Sequence, residues 1–467
     1  MIRMSLLSNK RIVGILLFLL VLLLKLPIIN TPHHWDSLGR DIPAAIWILE
    51  HNFNPFVGDL NVGHPPFTFE LLALSFLIFG KSLSVSHLLV VLFSFLGIYF
   101  TYLLALHLFD EHVGIIASLL LFFSPMYFAQ SGIPQIEIPF TALTVMTIYF
   151  FIKENRIGYL ISGSLLVLTK EPAVILIIII ILFKIFKNYR TRDIIYKDAS
   201  FYVFPLLVFF AWMLLNKIYL GWFLYPGSIG YLGFGKIPIR FEYLIYQVFF
   251  QEYRWVLTLL IVTSIIIKNK GWNREEVIFL ALVVLIYCIF FAFMEDIRLP
   301  RWILVCYPLF FILGSKAIVD IFNKKSYIVM LILVLLFVTK WTGDRTIRSG
   351  ATLETNLEYL DLIETHREAV KFIETNYPNA VVLTNWPQTM ELRYPYEGYT
   401  SIKVNAIDIE TINESNFNFS NVDIIYYSPQ SRRPKVLLNA MKYLNTTLII
   451  RFEKNGKYAE IYRLNKP

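Results

Sequence analysis

Over its first three quarters the chain alternates long apolar runs with short polar connections, many of them basic, and then changes character. A helix that crosses the hydrocarbon core of a membrane needs about 20 residues. Runs approaching that length fall at 12–30, 84–108, 113–131, 138–152, 158–170, 172–187, 200–219, 254–268, 276–294, 301–320 and 326–342. They predict about eleven transmembrane helices. The stretch 67–80, FTFELLALSFLIFG, is different: it is shorter, carries Glu70 and follows a Pro-Pro pair.

Beyond Trp341 charged residues, Asn and Thr become frequent and the apolar pattern shortens. Residues 363–376 have helical spacing. AVVLTN and VDIIYYS have the make-up of short buried strands, each followed by a helical stretch. The end of the chain, TLIIRFEKNGKYAEIYRL, is patterned as a hairpin turning at Lys454-Asn455-Gly456. The expected fold is a polytopic α-helical membrane protein with a C-terminal extracytoplasmic α/β domain. Its membrane part spans 1–343, with a long first outer loop at 31–83, and the outer domain spans 344–467. No internal repeat is visible, which argues against an inverted-repeat transporter.

Composition agrees. Of the 467 residues 57% are hydrophobic and only 16% charged, against about a quarter charged in soluble domains. The net charge of +8 sits largely in short loops between apolar runs, a pattern that orients a membrane protein rather than binding nucleic acid. If 67–80 lies on the outer surface without crossing, Lys10/Arg11, Lys153/Arg156, Lys184/Lys187/Arg190, Lys268/Arg274 and Lys316/Lys324/Lys325 all fall inside. Counting it as a span moves the later clusters outside. The N-terminus is therefore expected in the cytoplasm and the C-terminal domain outside it. The first apolar run is too long for a cleaved signal and has no small-x-small site before Trp35. Lys25, inside that run, is expected to snorkel outward. Cys288 and Cys306 lie in predicted spans with no disulfide or zinc-type spacing.

With this topology the outer face collects polar groups that are costly at membrane depth. The first loop supplies His33, His34, Asp36, Arg40, Asp41 and His64; the second supplies Glu137. The turn LTKEPA supplies Lys170 and Glu171, and MEDIRLPRW supplies Arg298 and Arg301. The interfacial aromatics around Trp35 could stack on a sugar, though such belts are common at membrane surfaces. Asn413, Asn418 and Asn445 begin N-x-Ser/Thr sequons, in keeping with an extracytoplasmic domain.

The ordered pieces HWD, GHPPF, IASLLLFFSPMYFAQSGIPQIE, LTKEPA and RWILVCYPLF resemble the GT-C membrane glycosyltransferases over residues 1 to about 320. The branches nearest in pattern are the protein O-mannosyltransferases and the lipid A aminoarabinose transferase. The resemblance implies transfer of a sugar from a dolichyl or undecaprenyl phosphate to an acceptor hydroxyl on a glycan, lipid or protein. Asp36 is then the general base. Glu137 orients the acceptor or holds the phosphate clamp. Arg40, His64, Lys170, Glu171, Arg298 and Arg301 form the site for the lipid phosphate and sugar, whose developing negative charge needs fixed cations. The family often has Glu after its first Asp, where this chain has Ser37, and often Asp at the second acidic position, where it has Glu137. Asp36 therefore carries the base role alone. No cofactor is expected, and a divalent metal stays open. The alternatives are a flippase or transporter of polyprenyl-linked glycans and a non-catalytic glycan-assembly subunit.

Overall fold

The computed structural model describes residues 9–56, 63–191, 196–227, 232–269, 271–294, 299–343, 350–412, 417 and 419–465. Arg298, Asn413 and Asn418 lie outside them.

The membrane part is a bundle of helices. They are α1 (Lys10–Lys25), α2 (Ile42–Glu50), α3 (Phe67–Phe79), α4 (Leu83–Leu108), α5 (Glu111–Phe123), α6 (Pro125–Gln130), α7 (Glu137–Ile152), α8 (Arg156–Val167), α9 (Ala173–Thr191), α10 (Tyr196–Leu220), α11 (Ile237–Phe249), α12 (Arg254–Ile267), α13 (Glu275–Ala292), α14 (Tyr307–Phe322) and α15 (Ser326–Val338). The short polar turns fix where they begin. Ser82, Asp110 and Asn155 each cap the following helix by accepting a backbone N–H, from Val85, Val113 and Gly158 respectively, which satisfies donors a helix start would leave bare. Each stretch expected to cross the membrane holds a helix. Among the described residues five helices are long and apolar enough to do so alone, and α11 and α12 make a bent pair with an angle of 86°. Arg254 organises that bend from a fully buried position. It donates to the carbonyls of Gln247 (2.6 Å) and Val248 (3.1 Å), and pairs with Glu252.

Large apolar side chains remain exposed on the outside of the bundle, among them Leu23 on α1, Leu207, Phe210 and Leu214 on α10, and Leu331 and Leu335 on α15. A lipid-facing surface has this character. The packed interior is drawn mainly from α4, α5, α7, α13 and α14. Lys25 is not at that outer surface. It is fully buried, donates to the Phe128 carbonyl and sits 3.3 Å from the centre of the Phe128 ring. Burial against a carbonyl and an aromatic face replaces the water that snorkelling would supply. Helices α2 and α3 pack on each other through Ile42, Ala45, Phe69 and Phe76. The segment α2 and the amphipathic α11 give little sequence signal because neither is long enough to stand out by apolarity.

The C-terminal part is α/β. It contains α16 (Glu358–Asn376), β1 (Val381–Thr384), α17 (Gln388–Arg393), β2 (Asn405–Asp408), β3 (Ile424–Tyr427), α18 (Pro434–Met441), β4 (Thr446–Lys454) and β5 (Lys457–Leu464). The sheet runs β2-β1-β3-β5-β4. β1 is parallel to both β2 and β3, while β5 is antiparallel to β3 and β4. The β4–β5 hairpin turns where the sequence predicts, with Asn455 and Gly456 at positive φ. The short edge strand β2, NAID, lacks the apolar alternation that marks the others. One sheet face packs on α16, and that cluster also takes in Leu38, Ala129 and Ile133 from the membrane part. The two parts therefore share a buried core.

Candidate active site

The loop that follows α1 folds back on itself at His34–Ser37. Ser37 Oγ donates to the His34 carbonyl (2.6 Å) and accepts from the His34 N–H (3.0 Å). Residues 37–41 then form a π-helical turn, a widened turn that recurs at functional sites. It brings Asp36, Arg40 and Asp41 together, with Arg40 between the two acids. Gly39 is required there, because a Cβ would stand 2.4 Å from the Trp386 ring of the C-terminal domain.

Arg301, at the start of the 3-10 stretch 300–306, is the hub. Its guanidinium reaches Asp36 Oδ2 (Nη2, 2.5 Å), Glu137 Oε1 (Nε, 3.3 Å) and the carboxylate of Glu354. Lys170 also reaches Glu137 Oε1, at 3.2 Å. Glu137 is the first residue of α7, where the helix dipole adds to the two cations in favouring its charged form. Arg40 spans Asp41 (2.6 Å) and Asp36 Oδ2 (3.4 Å). Five carboxylates, Asp36, Asp41, Glu137, Glu171 and Glu354, thus meet three permanent cations, Arg40, Lys170 and Arg301, plus His64.

Exposure divides the group. The side chains of Arg301, Glu137 and Glu354 are only 3%, 3% and 1% accessible, whereas Asp36 and Arg40 keep 22% and 25%. Both cations meet the same Asp36 oxygen, Oδ2. Burial opposes ionisation of Asp36, but Arg301 and then Arg40 override it and hold the carboxyl below its usual range. Asp41 behaves in the opposite way: burial pushes it up to about 6 against the pull of Arg40. Arg40 Nη2, Glu137 Oε2 and Glu171 Oε1 are buried with no hydrogen-bond partner, which leaves hydrogen-bonding capacity for a polar guest.

Lys170 and Glu171 are not paired with each other. Glu171 instead pairs with His64, Nδ1 to Oε2 at 2.9 Å. The reason is local: the Phe67 N–H donates to the Leu168 carbonyl (2.9 Å), pinning the GHPPF loop onto the LTKEPA turn. Burial disfavours the Glu171 charge, but the His64 partner outweighs it and keeps the carboxyl low. His64 also borders a cavity lined by Phe56, Phe69, Trp212, Asn216 and Trp222.

The chain is similar to known membrane transferases in sequence and in shape. The dolichyl-phosphate-mannose-protein mannosyltransferase family profile matches residues 63–219. ArnT from Cupriavidus metallidurans bound to undecaprenyl phosphate superposes with TM-score 0.65 at 13% identity, covering 96% of this chain and 97% of that one. The fold is that of the GT-C membrane glycosyltransferases. ArnT in the apo state gives 0.63 at 14% identity over the same shares. The apo oligosaccharyltransferase of Archaeoglobus fulgidus gives 0.54 at 12%, covering 97% of this chain and 74% of that chain. No curated protein matches by sequence.

Within this GT-C fold, Asp36, Arg40, Glu137, Lys170 and Arg301 form one connected cluster, with His64 and Glu171 as a second pair beside it. Asp36 is not a solitary carboxylate. From far along the chain, Glu354 joins the same Arg301 guanidinium that meets Asp36, and is held by Gln135 Nε2 at 2.7 Å. Sequence reasoning missed Glu354 because it stands in the connection after the last span, in a segment with no local pattern. Its only signal is an acidic residue at the composition break near Trp341. His33, His34 and Trp35 are buried in contact with the C-terminal domain. His33 bonds Glu397 (2.8 Å) and Ser86 (2.7 Å), and Trp35 meets Trp386 edge-on with ring centres 4.8 Å apart. No group of three or more His, Cys, Asp or Glu among the described residues is arranged to hold a metal ion.

Proposed function

We propose that the protein transfers a sugar from a polyprenyl phosphate to an acceptor hydroxyl at the extracytoplasmic surface of the membrane. The observation that carries the reading is Asp36: a carboxylate kept ionised by two guanidiniums, yet still part-exposed in the loop that follows α1. Oδ2 takes both cations, so Oδ1 is the oxygen left to accept a proton. In the step, the acceptor oxygen attacks the anomeric carbon and gives its proton to Asp36. The bond from that carbon to the phosphate oxygen breaks, and its electron pair leaves on the lipid phosphate.

Exposure suggests a division of labour among the cations. Arg301 and Lys170 are buried and engaged with carboxylates, so they position the acids. Arg40 and His64 keep accessible surface and are the groups we assign to the lipid phosphate. Similarity to a fold seen with undecaprenyl phosphate in ArnT supports a polyprenyl phosphate as donor, and the aromatic and aliphatic residues beside His64 are the surface we assign to the start of its chain. Arg298 remains a proposed phosphate contact on sequence grounds alone.

Topology follows the same logic. Asp36 and Glu137 meet one guanidinium, so an even number of crossings separates them. Helices α4 and the α5–α6 pair supply two, which supports a surface position for α3 and outer placement for residues 344–467.

The direct test uses purified protein, a radiolabelled polyprenyl-phosphate sugar and an envelope extract as acceptor. Label should move into the extract with wild type. Donor that is bound but never transferred by any extract would sink the reading.

A further inference from the structure

The C-terminal domain holds a second polar cluster that the transfer step does not use. At the ends of β1 and β3, Asn385 Oδ1, both polar atoms of the Gln388 carboxamide, Thr389 Oγ1 and Gln430 Nε2 are buried with no hydrogen-bond partner. All four residues are at most 1% exposed. They are near one another, because Asn385 Nδ2 donates to Ser431 Oγ (2.8 Å) and the Arg432 N–H donates to the Trp386 carbonyl (3.0 Å).

Their place in the fold is informative. β1 lies between β2 and β3 and is parallel to both. The chain leaves β1 toward α17 and β2 on one side, and leaves β3 toward α18 on the other. The loops 385–388 and 428–433 therefore diverge at the carboxyl ends of two adjacent parallel strands. In α/β sheets this crevice is where ligands bind.

The cluster is also braced from beneath. His366 bonds Glu391 through Nδ1 (2.8 Å) and Ser428 through Nε2 (3.0 Å), and the Tyr426 hydroxyl donates to the other Glu391 oxygen (3.0 Å). Ser428 Oγ in turn donates to Gln430 Oε1 (3.2 Å). The oxygen of the Gln430 amide is thereby fixed while its nitrogen stays unpaired.

We infer that this crevice is a saccharide subsite. The unpaired atoms are carboxamides and a hydroxyl, with no charge among them, so the fitting guest is neutral and offers donors and acceptors on the same groups. Vicinal hydroxyls of a sugar do so. The flanking Trp386 is half-buried and Arg432 is exposed, so the two loops that carry these atoms reach the surface. Trp386 also touches the loop that bears Asp36 and Arg40, edge-on to Trp35 and against Gly39. A sugar bound here would lie beside the transfer site, as the acceptor end. That role rests on the transferase reading; the subsite itself does not.

The test uses full-length protein in detergent and saturation-transfer NMR with the methyl glycosides of mannose, glucose, galactose and N-acetylglucosamine. At least one should bind wild type and Asp36→Asn equally, and Gln388→Leu at least tenfold more weakly, with Gln388→Glu as the second variant should the first lose its melting transition. Three outcomes overturn the proposal. They are no binding of any of the four to wild type, unchanged binding to the folded Gln388 variant, or binding lost in Asp36→Asn alone. Glycoside binding without any sugar transfer would count against the transferase reading and leave the subsite standing.

Discussion

Arg301, at the break before α14, is paired with Glu354, which enters from the connection leading to the C-terminal domain. The membrane bundle thus does not complete its own charge cluster. Removing one partner from a buried ion pair leaves the other charge uncompensated and costs about 3–5 kcal/mol.

Glu354→Gln should therefore lower sugar transfer at least tenfold while preserving insertion, and should reduce the melting temperature in detergent. Ending the chain at about residue 345 removes the same carboxylate. The truncated protein should still insert, because its spans carry their own apolar signal, but transfer should fall at least as far as in the point variant. Full activity in Glu354→Gln would show that Arg301 positions Asp36 and Glu137 unaided.

Asp36→Asn keeps the size and hydrogen bonding of the side chain and removes its capacity to take a proton. General-base assistance is worth about 10²–10⁴-fold, so transfer should drop by that factor. Donor binding, measured alongside, should stay within a few-fold of wild type. Near-normal transfer would remove Asp36 from the mechanism and make Glu137 the carboxylate to examine.

Asp41 should leave a mark on stability. Burial lifts its carboxyl to about 6 in the folded protein, above the unfolded value of about 3.9. The folded state then binds the extra proton, so Asp41's stabilising contribution is complete below about pH 4 and is lost as pH rises through about 6. Asp36, held low, contributes in the opposite sense: its stabilisation is present above about pH 4 and is lost as the medium turns more acid. Subtracting the melting curves of Asp41→Asn from wild type between pH 4 and 7.5 isolates the first effect. The wild type should lose up to about 3 kcal/mol relative to the variant across that window. A flat difference would mean that Asp41 ionises normally beside Arg40.

Reporter fusions test sidedness. In the proposed topology, with α3 on the surface and α4 crossing, a fusion after residue 81 should report outside and one after residue 110 inside. A cytoplasmic signal at 81 would make 67–79 a span and break the even crossing number that lets Asp36 and Glu137 share Arg301.

The division between sequence and structure follows the range of the forces involved. Apolar runs fixed the helices of the bundle, because the cost of burying bare backbone in lipid is written residue by residue. Local turn chemistry placed the Lys454–Gly456 hairpin, and the acids and bases at the ends of the apolar runs stood out because charge at membrane depth is expensive. Pairing was not legible. Lys170 chooses Glu137 over its neighbour Glu171, and Glu171 chooses His64, because a backbone bond from Phe67 to Leu168 sets one loop on another. Lys25 turns inward to Phe128 for a reason held by a different helix. Glu354 and the crevice between β1 and β3 depend on contacts between residues hundreds of positions apart or on the order of strands in a sheet. Charge, polarity and span length belong to each residue and its neighbours in the chain; which charges meet, and which buried amides are left unpaired, is decided only when packing brings distant segments together.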